Sequence, residues 1–343
     1  MEQKSRFRLW HIPLLILLIL GTVWIALSEK HPVDIPFQRN EGAIFGTIYH
    51  STYQYKEDIN DEILAALNQV DASLSMFNPA STISKINSGE SDLIDSLLLH
   101  VLQLSKTISK ETDGAFDVTV APLVNAWGFG FKSNTFPDSA MVDSLRGLVG
   151  WDKLTVEGNR LVKADPNMII DFSAVAKGFG VDWVARLFQK KGIRNFMIEI
   201  GGEVITSGTN PKNELWHIGI NSPEEDSIQG GNELQVILAM SDCAMATSGN
   251  YRNYYLHDGK RIAHTIDPKT GYPVQHSILS STVLAPSCAM ADGYATSFMV
   301  LGLEKAKEVL SLHPELQAYF IYSDEKGENK VWYTPSLKQF FTE

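Results

Sequence analysis

The chain has 343 residues, 44% hydrophobic and 20% charged, which excludes a disordered or fibrous polypeptide and allows one large domain or two ordinary ones. A formal net charge of −11 argues against a nucleic-acid surface, which would need a basic stripe. It also means that any phosphate ligand must be neutralised locally, by a metal ion or a few placed cations. Cys243 and Cys288 are the only cysteines, so a disulfide scaffold and a Cys-based zinc site are excluded; two buried thiols are expected rather than a bridge.

Lys4, Arg6 and Arg8 precede an apolar stretch over 12–27, interrupted only by Pro13, Gly21 and Thr22. This pattern predicts a signal anchor or signal peptide over 1–28, with Ala26 and Ser28 small enough to leave cleavage open. The positive-inside rule puts the three cations in the cytoplasm and everything after Ser28 outside the inner membrane, on the periplasmic side. No cysteine follows the segment, so a lipoprotein anchor is excluded. Residues 29–40 hold Pro32 and Pro36 among mixed charges and read as a linker. Beyond it there is no repeat, low-complexity tract or second linker, so 41–343 is expected to be a single domain.

Within that domain, residues 44–53 alternate and predict a strand. Apolar residues at 59, 63, 64, 67 and 70 predict a helix over 58–75, and the pattern recurs over 93–107. The run 168–171 predicts a short strand ending at Asp171. A helix follows, with Val181, Val184, Leu187 and Phe188 on one face and Gly192 as its stop. Residues 195–200 and 216–221 predict strands, with a turn at 210–213. Residues 290–301 and 303–313 predict helices separated by Gly302. The mixture indicates α+β architecture.

The dinucleotide reading fails, because Gly128-Phe129-Gly130 and Gly178-Phe179-Gly180 both lack a third glycine. There is no Walker A sequence, HExxH or GxSxG elbow. Three segments carry candidate chemistry. In 170–180 (IDFSAVAKGFG), Asp171 precedes small residues Ser173, Ala174 and Ala176, which would let an anion approach helix N–H groups, with Lys177 one turn on. An ordinarily capped helix with a solvated lysine has the same pattern. In 287–301, Asp292 and Thr296 are four residues apart and share a helical face, as hard oxygen donors for Mg²⁺ would, though a cap and a core hydroxyl fit that spacing too. In 263–273 (AHTIDPKTGYP), a turn by composition at 267–271 follows His264, the best general-base candidate among nine histidines. Residues 114–130 bring glycines, aromatics and one acid together, and 74–87 places Phe77 in a polar setting; both suit a flat aromatic ligand, or ordinary core aromatics.

Eight segments in this order resemble the ApbE family of FAD:protein FMN transferases: FGT at 45–47, SMFNPASTISKIN at 75–87, GAFDVTVAPLVNAWGFG at 114–130, IDFSAVAKGFGVD at 170–182, IEIGGEV at 198–204, ATSGNY at 246–251, HTIDPKTGYPV at 264–274 and ADGYAT at 291–296. The resemblance implies a T-fold-like α+β domain with mixed sheets and packed helices. It also implies FAD as substrate and Mg²⁺ (Mn²⁺ as an alternative) at the pyrophosphate. By position, Asp292, Thr296 and the Ala174 carbonyl would hold the metal, and Lys177 would lie near the phosphates with Asp171 on the FAD side. Ala115, Phe116, Asp117, Phe45 and Ile266 would contact the nucleotide, and Phe77 would pack on the isoalloxazine. Phe77 stands where the family often has Tyr, and Phe45 where Met is usual. The implied reaction is transfer of FMN to a Thr or Ser hydroxyl with release of AMP, with His264 or an Asp near the metal taking the proton. Family acceptors include flavin subunits of membrane redox pumps, which suits an enzyme tethered outside the inner membrane. Water in place of the acceptor would make the chain an FAD pyrophosphatase, and absence of turnover an FAD-binding protein.

Overall fold

In a computed structural model the described residues are 35–129, 136–221, 234–249, 254–257, 260–275 and 277–342, with positions 13, 16–18, 20 and 22 near the N-terminus. The chain divides into two compact units, Met1–Pro36 and Phe37–Glu343. In the first, the described positions between 13 and 22 are helical. Most of the expected anchor lies outside the described residues, and among those described no helix is long and apolar enough to cross a membrane.

The second unit contains, in chain order, β1 (Phe37–Ile44), β2 (Thr47–Gln54), α1 (Asn60–Leu74), α2 (Thr82–Ser88), α3 (Ser96–Glu111), α4 (Ala121–Ala126), α5 (Ser139–Arg146), β3 (Leu154–Glu157) and β4 (Arg160–Lys163). There follow α6 (Ala176–Lys190), β5 (Phe196–Ile200), β6 (Glu203–Ser207), β7 (Trp216–Asn221), β8 (Leu234–Met240), β9 (Cys243–Gly249), β10 (Tyr254–His257) and β11 (Lys260–Ala263). The last are β12 (Ile278–Ala285), α7 (Cys288–Leu301), α8 (Leu303–Leu312), β13 (Gln317–Ser323) and β14 (Asn329–Tyr333). This is the mixed α+β architecture that the sequence indicates.

Eight strands form one sheet in the order β1-β2-β5-β6-β9-β12-β13-β14, and every neighbouring pair is antiparallel. Strand alternation splits the core between its faces. On β12 and β13, Val283, Ala285, Ala318 and Phe320 point to the helical layer, while Leu284, Tyr319 and Ile321 point to the opposite face, where the β7–β8 ribbon covers them. At the other end, Ile198 and Ile200 of β5 pack with Tyr49 and Tyr53 of β2 under α1 and α6.

Helix α7 runs through the helical layer. All but three of its fourteen residues are buried, so it lacks the polar stripe of a surface helix. Its N-terminus meets that of α6, and each helix caps the other. Asp182 of α6 accepts from the Cys288 and Ala289 N–H groups at 2.8 and 2.9 Å, and Asp292 of α7 accepts from Gly178 N–H at 3.1 Å. These are orphan donors of helix starts, which a carboxylate satisfies in charge as well as geometry. The approach is close enough to require glycine: a Cβ on Gly178 would lie 2.4 Å from the Cys288 carbonyl oxygen, and one on Gly180 would lie 2.6 Å from the Phe45 ring. The Gly178-Phe179-Gly180 sequence is thus a packing device.

The structure corrects several boundaries. Of the predicted strand over 44–53, residues 47–53 lie in β2, while Ile44 ends β1 and the chain turns at Phe45 and Gly46 with φ 50° and 74°. Strand β1 starts at Phe37, so residues 37–40 are not linker; pairing with β2 outweighs their mixed composition. The run 168–171 buries Met168 and Ile170 but is not a strand. Its backbone is held by the Asn87 side chain, which bonds both Ile170 N–H and its carbonyl at 2.9 and 2.8 Å, and by Asp171 N–H to the Val118 carbonyl at 2.7 Å. Helix α6 begins at Ala176, because residues 173–175 form a turn around the Phe172 carbonyl. Both cysteines are free, Cys288 buried and Cys243 half-buried.

Gly178→Ala is expected to destabilise the domain by about 1–3 kcal/mol, the usual cost of overpacking a close contact. Urea denaturation of the two proteins measures this; equal midpoints would mean that the two helix starts have slack.

Candidate active site

A cleft of 940 Å³ opens between the helical layer and the sheet end. Eleven of the twelve residues singled out from the sequence line it: Phe77, Ala115, Phe116, Asp117, Asp171, Ala174, Lys177, His264, Ile266, Asp292 and Thr296. Phe45 lines an adjoining cleft of 560 Å³, with which the larger shares Met76, Phe77, Ser173 and Lys177. The positive φ at Phe45, unfavourable for a bulky residue, holds its ring over Gly180 at that boundary.

Asp292 and Thr296 lie one turn apart on α7. Asp292 is 4% exposed, with Oδ2 on the Gly178 N–H, and Thr296 Oγ1 is 3.0 Å from Ser248 Oγ of β9. Burial raises the pKa of Asp292 above the ordinary aspartate range, against the pull of Lys177 and the Gly178 bond. The sequence suggested that α6 would offer free N–H groups to an anion; instead Asp292 takes the Gly178 donor.

Lys177 is likewise not a free cation. Its Nζ lies 2.5 Å from Oε1 of Glu203, the first residue of β6. Burial pulls its pKa down, but Asp292 and Glu203 together outweigh that and hold it above the usual lysine value. Glu203 is 2% exposed; burial and the Asp292 charge push its pKa up, against the pull of the Lys177 ammonium that favours its anion. Sequence reasoning missed Glu203. The IEIGGEV segment contained it, but only the turn at Gly201 and Gly202 (φ 62° and 104°) brings it under α6.

The remaining acids are locally tied. Asp171 accepts from Ser173 N–H and Oγ at 2.8 and 2.5 Å, and Asp117 accepts from Thr119 N–H and Oγ1 at 2.8 and 2.6 Å. Burial raises both pKa values. His264 follows β11 and lies edge-on to Phe129, with ring centroids 6.2 Å apart. The turn after it closes through Gly271 N–H to the Asp267 carbonyl at 2.8 Å, and Gly271 in turn receives the Trp127 indole N–H at 2.8 Å. Phe77 is 72% exposed at the rim of both clefts.

The sequence pattern of the ApbE family matches residues 45–320. The chain belongs to the ApbE family. It is 38% identical over 303 residues to a protein of Haemophilus influenzae named FAD:protein FMN transferase, covering 83% of this chain and 86% of the relative. A Vibrio cholerae protein of the same name is 36% identical over 346 residues, covering 98% and 99%. Among solved structures, the flavin transferase ApbE from Vibrio cholerae superposes with a TM-score of 0.79 at 35% identity, covering 89% of this chain and 100% of that one. The apo flavinyl transferase ApbE of Pseudomonas stutzeri matches with a TM-score of 0.79 at 30% identity, covering 89% and 97%.

Lys177→Met leaves Glu203 buried without its counter-charge and is expected to cost about 3–5 kcal/mol. The Lys177→Met/Glu203→Gln double variant should recover most of that loss. Urea denaturation of the three proteins tests this; equal loss in the single and double variants would mean that the two residues do not interact.

Proposed function

We propose that this chain transfers FMN from FAD to a Thr or Ser hydroxyl of an acceptor protein and releases AMP. The carrying observation is a single 940 Å³ cleft in which Lys177, Asp292 and Thr296 share walls with Phe77, Phe116 and Phe129. That volume is at the upper end of cofactor pockets. The names of the relatives, FAD:protein FMN transferase, support the reading.

The donor set fits Mg²⁺, with Mn²⁺ an alternative. The Asp292 carboxylate, the Thr296 hydroxyl and the Ala174 carbonyl are hard oxygen donors lining one cleft. Among the described residues no three His, Cys, Asp or Glu side chains could hold a metal together. This suits an ion that completes its shell with waters and substrate phosphates rather than a protein cage. When bound, the ion would offset pyrophosphate charge, which answers the problem set by an acidic chain.

The protein's own groups do the remaining work. Lys177 adds a cation on the phosphate side, and Phe77 offers a ring face to the isoalloxazine. Ala115, Phe116, Asp117, Asp171 and Ile266 line the nucleotide's path, with Phe45 in the adjoining cleft. The acceptor oxygen attacks the FMN phosphorus, and the bond from that phosphorus to the bridging oxygen breaks. AMP leaves with the bridging oxygen, while His264 accepts the hydroxyl proton. The acceptor would be a flavoprotein subunit of a membrane redox pump. The cations at Lys4, Arg6 and Arg8 and the apolar run after them support an inner-membrane anchor with the domain on the periplasmic side.

The test incubates the full chain with FAD, Mg²⁺ and an acceptor domain bearing a flavinylation-type Thr, following acceptor mass and AMP together. A chelator-sensitive mass gain of FMN minus water, matched by AMP, is expected. Asp292→Asn, which keeps an acceptor for Gly178 N–H, should abolish it, and His264→Ala should slow it by roughly 10²–10⁴-fold with FAD affinity little changed. AMP and free FMN without acceptor modification would replace transferase by pyrophosphatase, and bound FAD without AMP would leave a carrier. For the location, protease added to spheroplasts should digest the domain; protection until lysis would overturn the periplasmic placement.

A further inference from the structure

Glu203 has no task in the reaction as written, and its position is unusual. It is 2% exposed, and while Oε1 bonds Lys177 Nζ at 2.5 Å, Oε2 has no hydrogen-bond partner among the described residues. A buried carboxylate oxygen without a donor is costly, and native proteins rarely retain one unless a ligand, ion or water meets it. Strand alternation fixes where it faces. Val204, the next residue, belongs to the core on the far side of the sheet, whereas Ile205 packs with the core beneath α6. Glu203 shares the parity of Ile205 and so lies on the α6 side, where it lines the same cleft as Asp292, Thr296 and Ala174.

We propose that Glu203 is a second anionic group for the divalent cation, its Oε2 accepting a hydrogen bond from one of the ion's waters while Oε1 stays on Lys177. This rests on the cation reading above. Mg²⁺ gives up its waters reluctantly, so an acid beyond the direct donors meets a water that is already a strong donor. Lys177 cannot fill this role, because it carries the wrong charge. Its ammonium instead keeps Oε1 occupied, which leaves Oε2 as the oxygen available to the hydrated ion. The site then divides its two carboxylates: Asp292 touches the ion and Glu203 orders its shell.

The experiment measures Mn²⁺ affinity of the full chain by electron paramagnetic resonance of the free ion, with saturating ADP and a protein-free Mn²⁺–ADP blank. Glu203→Gln, which keeps an oxygen for Lys177, should weaken Mn²⁺ by about 10- to 100-fold, as loss of an outer-shell partner does. The Lys177→Met/Glu203→Gln double variant, in which the site has the charge of the wild type, should stay equally weak. Wild-type affinity in that double variant would mean that Glu203 serves only to balance Lys177, and would overturn the proposal. Unchanged affinity in Glu203→Gln alongside a loss in Asp292→Asn would also overturn it while leaving the cation reading intact. Unchanged affinity in Asp292→Asn, or no Mn²⁺ bound by the wild type above the blank, would remove the cation reading and this proposal together.

Discussion

The exchange of carboxylates between two helix starts governs this domain. Asp182 of α6 caps α7, and Asp292 of α7 caps α6 at Gly178. Each acid is buried at a cost, and each recovers part of it from orphan N–H groups and the positive end of a helix dipole. Asp182 still has its pKa pushed up to about 6 by burial, a sign of how dry the junction is. Because Gly178 touches the Cys288 carbonyl, the two helix starts have one relative placement, and Lys177 and Asp292 are set side by side by it.

The sheet supplies what the helices lack. Helix α7 is too buried to carry more than one acid, and the second comes from the β5–β6 turn, where two glycines at positive φ return the chain under α6. The result is a site with two buried carboxylates and one lysine inside a strongly acidic protein. Aromatic and glycine-rich segments from α4, from the loop before β12 and from the turn after α1 surround it.

Much of this was legible in the sequence, because local pattern and family resemblance report on different things. The periodicity of α1, α3, α6 and α8 and the alternation of β5 and β7 follow from one-sided burial, and these elements lie within a few residues of expectation. The misplaced strand at 168–171 shows the limit: burial gave it a strand's composition, but the Asn87 side chain rather than a neighbouring strand satisfies its backbone. Eleven of the named residues meet in one cleft because the motifs that carry them resemble a known family. Glu203 was missed, since an acid after two glycines reads as a solvated turn until tertiary packing buries it. Its pairing with Lys177 spans 26 residues and has no local signature.

The reciprocal caps also bear on how the domain is assembled in time. Gly178 and Asp292 are 114 residues apart, and Asp182 and Cys288 are 106 apart. Neither helix start is satisfied until the late part of the chain arrives, so loop closure must precede the contacts that reward it. A chain emerging from its N-terminal end therefore passes through most of its length with the α6 start unfinished and without Asp292 beside it. Because α7 lies late in the chain and carries Asp292 and Thr296, the wall they form in the cleft is absent until that helix docks.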